Sequence, residues 1–243
     1  MLLVRKALRV ILPLRHLCAA AVVGMLSLPA LALEAFTAEY DLSWDVGINL
    51  TGTASQALTR EAEHWRFDQR ANASVGSLQE TSLFREQVDG QLLPLEFART
   101  TRVLGRKKEQ SVRFNWNQNT VQMDDTTLEL DPNVFDPLTL QLALRKSLIE
   151  QAALNVKLAD RGRIKDYPID NLGLTRVMTR NGPIEAIQLR YQKNESSRTD
   201  LWFDPERDYL MVALKSVRDG KVFTLSLRSA TVKTMEETQA TTQ

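Results

Sequence analysis

The chain has 243 residues, of which 25% are charged and 43% are hydrophobic, and its formal net charge is +1. These fractions are near the averages for globular proteins, which excludes a disordered, collagen-like or multi-span membrane protein. The length is typical of one large domain or two small ones, and neither length nor composition names a function.

The first 32 residues have the three parts of a secretory signal peptide. A basic start is followed by an apolar run at Leu17–Leu28 and by small residues within Pro29–Ala32. The apolar run has twelve residues, whereas a membrane-spanning helix needs about 20. We therefore expect cleavage after Ala32 and export; a retained anchor and a buried helix are the alternatives. Lipidation at Cys18 is not expected, because basic and bulky residues precede it where a lipobox has apolar and small ones.

Removal of this segment changes the charge balance. Four of the 31 basic residues and no acid lie in it, so the mature chain from Leu33 has 27 basic and 30 acidic residues. A net charge of −3 gives no electrostatic reason to expect binding to nucleic acid or to an anionic membrane. The mature chain has no Cys and a single His, His64. Its 211 residues are enough to bury a core without disulfides.

Alternation of apolar and polar residues with period two dominates the first half of the mature chain and predicts antiparallel strands. It begins with Phe36, Ala38, Tyr40, Leu42 and Trp44, and it recurs at 48–54, 65–73, 78–88, 93–97, 112–116, 121–123 and 128–130. The sequence Asp89-Gly90 between two such runs indicates a hairpin. The basic run Arg106-Lys107-Lys108 is interpreted as an exposed turn.

One helix is predicted, from Pro137 to Ala152. Asp136 can accept hydrogen bonds from the free N–H groups of the first turn, and proline is favoured at the first helical position. The apolar residues that follow cover a wide arc, which we expect to lie against the sheet. They are Leu138, Leu140, Leu142, Leu144, Leu148 and Ile149.

Strand signals resume after the helix. They occur at 156–158, 164–169, 175–179, 187–191, 201–203, 210–214 and 223–227. No low-complexity linker interrupts the mature chain, so residues 33–234 are predicted to form a single domain, with a polar, frayed tail at 235–243. The predicted fold is mostly β: a curved antiparallel sheet or open barrel covered by one principal helix.

A set of short motifs occurs in order along most of the mature chain. They are Tyr-Asp-Leu-Ser-Trp at 40–44, Phe-Asn-Trp at 114–116, Asp-Pro-Leu-Thr at 136–139, Asp-Arg-Gly at 160–162, Gly-Pro-Ile-Glu-Ala at 182–186, Leu-Trp-Phe-Asp at 201–204 and Arg-Asp-Gly at 218–220. With them the chain resembles the DUF3108 family of exported bacterial proteins, whose function is not established. The resemblance implies an envelope protein that is mostly β, with a helix inserted between two groups of strands, and it implies no catalytic residues.

Few residues offer catalytic or metal-binding chemistry. His64 is the single candidate base for a Ser-His-Asp site, and it occupies a polar position of an alternating strand, where we expect it to be solvated. The acidic residues Asp124, Asp125, Glu129 and Asp131 lack the spacing of a calcium loop. No metal or cofactor is therefore predicted. A paired-carboxylate hydrolase stays open only because the chain has 30 acids.

The aromatic residues of the strands suggest two arrangements. In one, they and the helix fill the core. In the other, the sheet curves around a leftover apolar cavity of at least a few hundred Å³, the scale of a ligand pocket. Leu138, Leu142 and Ile149 would then project toward the concave face, and Trp44, Trp116 or Trp202 would line an opening.

Two functional hypotheses follow. The first is a non-enzymatic periplasmic protein that binds a hydrophobic component of the cell envelope. The alternative is a protein-interaction module for an envelope assembly, which would recruit a partner by adding a strand to an exposed sheet edge. A glycan hydrolase is a third and weaker hypothesis. The run 106–108 is expected to be solvated, although it offers contacts to lipid phosphates or to an acidic partner.

Overall fold

The first strand defines the two faces of the molecule. β1 (Ala35–Asp45) buries Phe36, Ala38, Tyr40 and Leu42, while the residues between them are half-buried or exposed. We call the face that carries the buried residues the inner face. Tyr40 is fully buried there, and its hydroxyl donates to the Met211 carbonyl at 2.9 Å. The predicted alternation is thus confirmed at the start of the sheet.

The computed structural model describes residues 33–45, 47–166, 168–194 and 196–233, without the side chains of 193, 194 and 233. The predicted signal peptide at 1–32 and the polar tail at 235–243 lie outside the described residues. After β1 come β2 (Asn49–Glu61), β3 (His64–Ala73), β4 (Gly76–Glu86), β5 (Leu92–Val103), β6 (Arg106–Asn115), β7 (Thr120–Met123), β8 (Thr126–Glu129), β9 (Val134–Phe135), α1 (Pro137–Ile149), β10 (Lys157–Asp160), β11 (Arg163–Asp166), β12 (Ile169–Thr179), β13 (Gly182–Asn194), β14 (Ser197–Asp204), β15 (Leu210–Arg218) and β16 (Lys221–Lys233).

Thirteen of these strands form one antiparallel sheet. Its order is β12–β13–β14–β15–β16–β1–β2–β3–β4–β5–β6–β7–β8. The last strand of the chain, β16, pairs with β1 and so joins the meander after the helix to the meander before it. The edge strands β8 and β12 do not pair with each other, so the sheet is not closed. This confirms the predicted open, antiparallel β fold with one principal helix.

The helix begins as predicted and ends earlier. Asp136 caps it: one carboxylate oxygen accepts from the backbone N–H groups of Leu138 and Thr139 at 2.9 and 3.1 Å. The other oxygen accepts from the Ser82 hydroxyl at 2.8 Å, which fixes the helix start against β4. The predicted end at Ala152 is wrong, because Gln151 adopts a left-handed backbone conformation (φ 52°) that stops the helix after Ile149.

The turn predicted at 106–108 is also misplaced. Leu104 and Gly105 both have positive φ (49° and 78°), which is typical of a two-residue hairpin turn of type I′. The basic run therefore opens strand β6 instead of forming the turn. This places Lys108 opposite Thr101 and Arg106 opposite Val103.

A second, smaller sheet and a hairpin complete the fold. Strands β9, β10 and β11 form a three-stranded sheet, in which β9 and β10 are parallel. The β12–β13 hairpin approaches strands β15 and β16. Arg180 in its turn binds Asp41 of β1 at 3.3 Å. The described part of the chain has no helix long and apolar enough to cross a bilayer.

Candidate functional site

A row of polar side chains crosses the inner face. Cross-strand pairing places Gln56, Gln69, Glu80, Arg99 and Gln110 directly opposite one another on β2 to β6. We call these five residues the polar row. The Gln56 amide donates to Gln69 at 2.7 Å, and Gln69 donates to Glu80 at 2.7 Å. Gln56 also donates to Gln141 of α1 at 3.0 Å, so the helix contacts the β2 end of this row. The row satisfies its own hydrogen-bonding groups in the interior.

Arg99 is the charged centre of the polar row. Its guanidinium donates to Glu80 and to Gln110, and at 3.1 Å to Asp160 of β10. Burial alone would lower the pKa of Arg99, but the two carboxylates outweigh it and raise the pKa above the usual value. The guanidinium of Arg99 is therefore permanently charged, and the carboxylates of Glu80 and Asp160 neutralise it. Its hydrogen bond to Asp160 joins the small sheet to the large one.

The polar row divides the inner face into two halves. On one side, Phe67, Ser82 and Phe97 follow each other across β3 to β5, and α1 packs there through Asp136 and its apolar residues. On the other side, Ala71, Leu78 and Thr101 form the next row, and Ala73, Gly76 and Val103 the one after it. These two rows of mainly small residues lie away from the helix contacts with Ser82 and Gln56.

An apolar pocket of about 180 Å³ lies on these two rows. Leu42 and Trp44 of β1 and Phe223 of β16 complete its wall. Most of the lining residues are half-buried, so the pocket is accessible from solvent. Close strand contacts exclude a side chain at Gly76, which lines the pocket, and at Gly52, which pairs with Ala73: a Cβ on Gly76 would lie 2.3 Å from the Arg102 carbonyl oxygen, and one on Gly52 would lie 2.0 Å from that of Asn72. Neither glycine can be enlarged without moving the neighbouring strand.

Of the six residues predicted to line a ligand site, Trp44 lines this pocket and the helical three do not. Leu138 and Leu142 are 0% and 2% exposed and belong to the core. Ile149 is half-buried near the end of α1. The helix therefore completes the core on its side of the polar row, and the pocket lies on the other side.

The two remaining tryptophans are separate from the pocket and from each other. Trp116 stacks on Phe114 with ring centres 6.3 Å apart, and its indole N–H donates to the Pro94 carbonyl at 2.7 Å. Trp202 donates to the Thr175 hydroxyl at 3.0 Å, on the face of β14 opposite Phe203. The indole N–H group of each is therefore already paired within the protein.

A groove of about 770 Å³ adjoins the pocket, and we call it the basic groove. Thr101 and Val103 line both features, which makes them contiguous. The charged residues that line the groove are Arg99, Arg106, Lys107, Lys108 and Arg161. No acid is among its lining residues in the described part of the chain. The sequence singled out the run 106–108, but its closeness to an apolar pocket depends on the register of β5 and β6.

The polar row and the pocket were missed because alternation does not report register. The available signal was the presence of polar residues at inward positions of alternating strands. Gln69 lies between Phe67 and Ala71 in this pattern, and Arg99 lies two residues after Phe97. His64 lies exposed at the β2–β3 hairpin, as the alternation predicted. The described residues contain no group of three or more His, Cys, Asp or Glu side chains placed to hold a metal ion.

Comparison with known proteins agrees with this architecture. No protein with a curated description matches the chain. A solved structure described as a beta-barrel-like protein of domain of unknown function DUF1849 from Brucella abortus superposes with a TM-score of 0.56 at 13% identity, and the match covers 84% of this chain and 99% of that one. At this identity the likeness concerns the fold alone. Residues 39–228 match the sequence profile of the family described as protein of unknown function DUF3108. The chain therefore belongs to the DUF3108 family.

Proposed function

We propose that this protein is a non-enzymatic binding protein that takes an apolar group of a cell-envelope component into the pocket beside Trp44. The observation that carries the proposal is the pocket itself, whose wall is formed mainly by Leu42, Ala71, Ala73, Leu78 and Phe223 around about 180 Å³. An engineered apolar cavity of about 150 Å³ binds benzene or xenon, so a space of this size accepts a comparable group. It is smaller than the few hundred Å³ expected from the sequence, which favours one alkyl segment or ring over a whole two-chain lipid.

Three of the buried carboxylates speak against a glycan hydrolase. Glu80 and Asp160 both bind Arg99, which leaves neither of them free to act as a general acid. Burial raises the pKa of Asp136, as a general acid requires, but this carboxyl group is fully enclosed and caps α1. We therefore propose binding without catalysis.

A fluorescent apolar probe tests the pocket. N-phenylnaphthylamine should bind the mature protein with increased emission. Leu78→Arg places a charge in the pocket and should abolish the increase, and Ala73→Phe should weaken it by filling the space without a charge. The matched control is Leu174→Arg, because Leu174 is 59% exposed on β12 and lies outside the pocket. Unchanged probe binding in a folded Leu78→Arg variant would refute the pocket as the binding site.

The proposed location is the periplasm, after cleavage behind Ala32. It is supported by the signal-peptide pattern of residues 1–32. Mass spectrometry of the protein purified from its native cells should give a mature chain that starts at Leu33 and fractionates with the periplasm. A purified chain that retains residues 1–32, or one found in the cytoplasmic fraction, would contradict this part of the proposal.

A second candidate function is a protein-interaction module, and the edge strand β12 favours it. This strand ends the large sheet and exposes Leu172, Leu174 and Met178, at 43%, 59% and 67%. A terminal strand with exposed apolar side chains can accept a further strand. Native mass spectrometry of protein from its own cells distinguishes the two functions: a bound small amphiphile supports the first, and a stoichiometric protein partner supports the second.

A further inference from the structure

The two rows that form the pocket continue into positive charge on the next strand. Thr101 on β5 pairs with Lys108 on β6, and Val103 pairs with Arg106. Directly opposed residues of an antiparallel pair have their side chains on the same face, with Cβ atoms about 5 Å apart. Lys108 and Arg106 therefore stand one strand beyond the pocket wall, on the same face.

These two cations differ from the other charges of the basic groove. Arg99 is neutralised by Glu80 and Asp160, and Lys107 binds Glu109 at 2.7 Å. Arg161 lies 3.6 Å from Asp160, which Lys165 also contacts. By contrast, neither Arg106 nor Lys108 forms an ion pair with any residue in the described part of the chain. Two uncompensated cations on one strand, side by side at a pocket mouth, are complementary to an anion.

We propose that the ligand is a single-chain amphiphile with an anionic head group, whose alkyl end enters the pocket beside Trp44 and whose head group is bound by Arg106 and Lys108. This inference rests on the proposed function, because it assigns the chemistry of the ligand of that same pocket. The pocket volume of about 180 Å³ favours one chain over two, and the groove of about 770 Å³ leaves room for a head group with its hydration. A phosphate or a carboxylate satisfies the requirement, since both accept hydrogen bonds from ammonium and guanidinium groups.

The test compares two ligands with the same chain and different heads. Decyl phosphate and decanol are titrated below their aggregation concentrations against protein loaded with N-phenylnaphthylamine. A charge-assisted contact should make decyl phosphate displace the probe at about tenfold lower concentration than decanol. This advantage should shrink in about 1 M salt, because the Debye length falls to about 3 Å.

Matched variants assign the preference to the two cations. Arg106→Gln/Lys108→Gln should remove the tenfold advantage while leaving the affinity for decanol and for the probe unchanged. The control is Arg113→Gln/Arg176→Gln, which removes two positive charges from exposed positions outside the pocket and the groove. Equal affinity for decyl phosphate and decanol in the wild type, or an advantage that survives in Arg106→Gln/Lys108→Gln, overturns this inference and leaves the apolar pocket standing. Failure of the probe to bind the wild type overturns both.

Two further measurements separate other sources of the anion. Inorganic phosphate, titrated by calorimetry, should bind at least 100-fold more weakly than decyl phosphate, because it makes no contact with the pocket. This difference in affinity corresponds to on the order of 3 kcal/mol. Equal binding would make the groove a free-anion site and overturn the inference. Sedimentation with phosphatidylglycerol vesicles tests membrane docking. If Arg106→Gln/Lys108→Gln loses vesicle binding while keeping its affinity for decyl phosphate, the two cations serve a membrane surface and the inference is wrong.

Discussion

Gln69 and Glu80 face each other across β3 and β4, and the Gln69 amide donates a 2.7 Å hydrogen bond to the Glu80 carboxylate deep inside the sheet. This contact joins the neutral half of the polar row to its charged half at Arg99. Both side chains are less than a tenth exposed, so an apolar ligand cannot displace them without leaving polar groups unsatisfied. The polar row therefore lies between the pocket and the helix-filled core.

The ion pair within the polar row should carry a large share of the stability. Removing one partner of a buried pair costs about 3–5 kcal/mol when the other charge is left alone, and Glu80→Leu should approach the lower end of this range because Arg99 keeps Asp160 as a partner. Urea denaturation should show this loss as a lower midpoint. Glu96→Gln is the control, because Glu96 is exposed and lies 3.7 Å from Arg113, and its effect should stay within about 0.5 kcal/mol. A Glu80→Leu variant as stable as the wild type would show that the polar row is not structural.

Sequence patterns predicted the strands and the helix start because these depend on near neighbours in the chain. Alternation identifies which residues of a strand point inward, and Asp136-Pro137 provides both a cap and a compatible first residue. The helix end was wrong because no glycine or proline marks it; Gln151 adopts the left-handed conformation instead. Positive φ at Leu104 is likewise unusual for a leucine, so the basic run was mistaken for the turn that precedes it.

The way in which the candidate residues come together could not be predicted, since it depends on register between strands. Trp44, Trp116 and Trp202 have similar local sequence contexts, yet only Trp44 lies at the pocket. Their different environments come from partners 20 or more residues away, such as the Pro94 carbonyl for Trp116 and the Thr175 hydroxyl for Trp202. Likewise, the five members of the polar row are spread over residues 56–110 and become neighbours only when five strands pair.

Asp136 should be important for stability and for its dependence on pH. Asp136→Ala removes the helix cap and leaves the Ser82 hydroxyl without its partner, which should cost about 1–3 kcal/mol. Asp136→Asn keeps an oxygen for the cap, and the hydroxyls of Ser82 and Thr139 can rotate to accept from its amide, so its loss should be smaller. Thermal denaturation of the three proteins at one pH checks this order, and equal stability of Asp136→Ala and wild type would contradict it.

The pH effect of the same residue has a definite sign. Burial raises the pKa of Asp136 above 3.8, so the folded state binds this proton more tightly than the unfolded state. The contribution of Asp136 to stability therefore falls as the pH rises from about 3.8 to the folded-state pKa, and it is constant above that value. Asp136→Asn lacks this dependence. The difference in unfolding free energy between the wild type and Asp136→Asn should thus change across that pH interval. A constant difference would show that Asp136 does not contribute to the pH dependence of stability.

Gly76 should control the width of the pocket. Alanine there would bring its Cβ to 2.3 Å from the Arg102 carbonyl oxygen, so β5 would have to move away from β4. Overpacking against backbone costs about 1–3 kcal/mol, and the movement should also change probe binding because Gly76 and Val103 both line the pocket. Gln79→Ala, at an exposed position of the same strand outside the pocket, is the control and should be nearly neutral. If Gly76→Ala changes neither the urea midpoint nor probe affinity, β4 and β5 are less closely packed than the structure describes.

Asp41 attaches the β12–β13 hairpin to β1. Arg228 donates to Asp41 at 3.1 Å from a bulge in β16, and Arg180 in the hairpin turn binds the same carboxylate at 3.3 Å. The hydrogen bond from Arg228 contributes most to lowering the pKa of Asp41 below 3.8, with Arg180 adding to it. A lowered folded-state pKa gives stability that is present above the ordinary pKa and is lost as the pH falls through the folded value. Because the Asp41 side chain is 36% exposed and screened by solvent, the contribution is at most about 1 kcal/mol.

In Asp41→Asn, hydrogen exchange of the β12 and β13 amides should accelerate a fewfold at pH 7, whereas Asp170→Asn, on an exposed position of β12 itself, should leave it unchanged. Thermal denaturation completes the test: the wild type should lose its advantage over Asp41→Asn between pH 5 and pH 2 (roughly two units around the ordinary pKa). An advantage that persists at pH 2, or identical exchange at pH 7, would mean that backbone and apolar contacts alone hold the hairpin on the sheet.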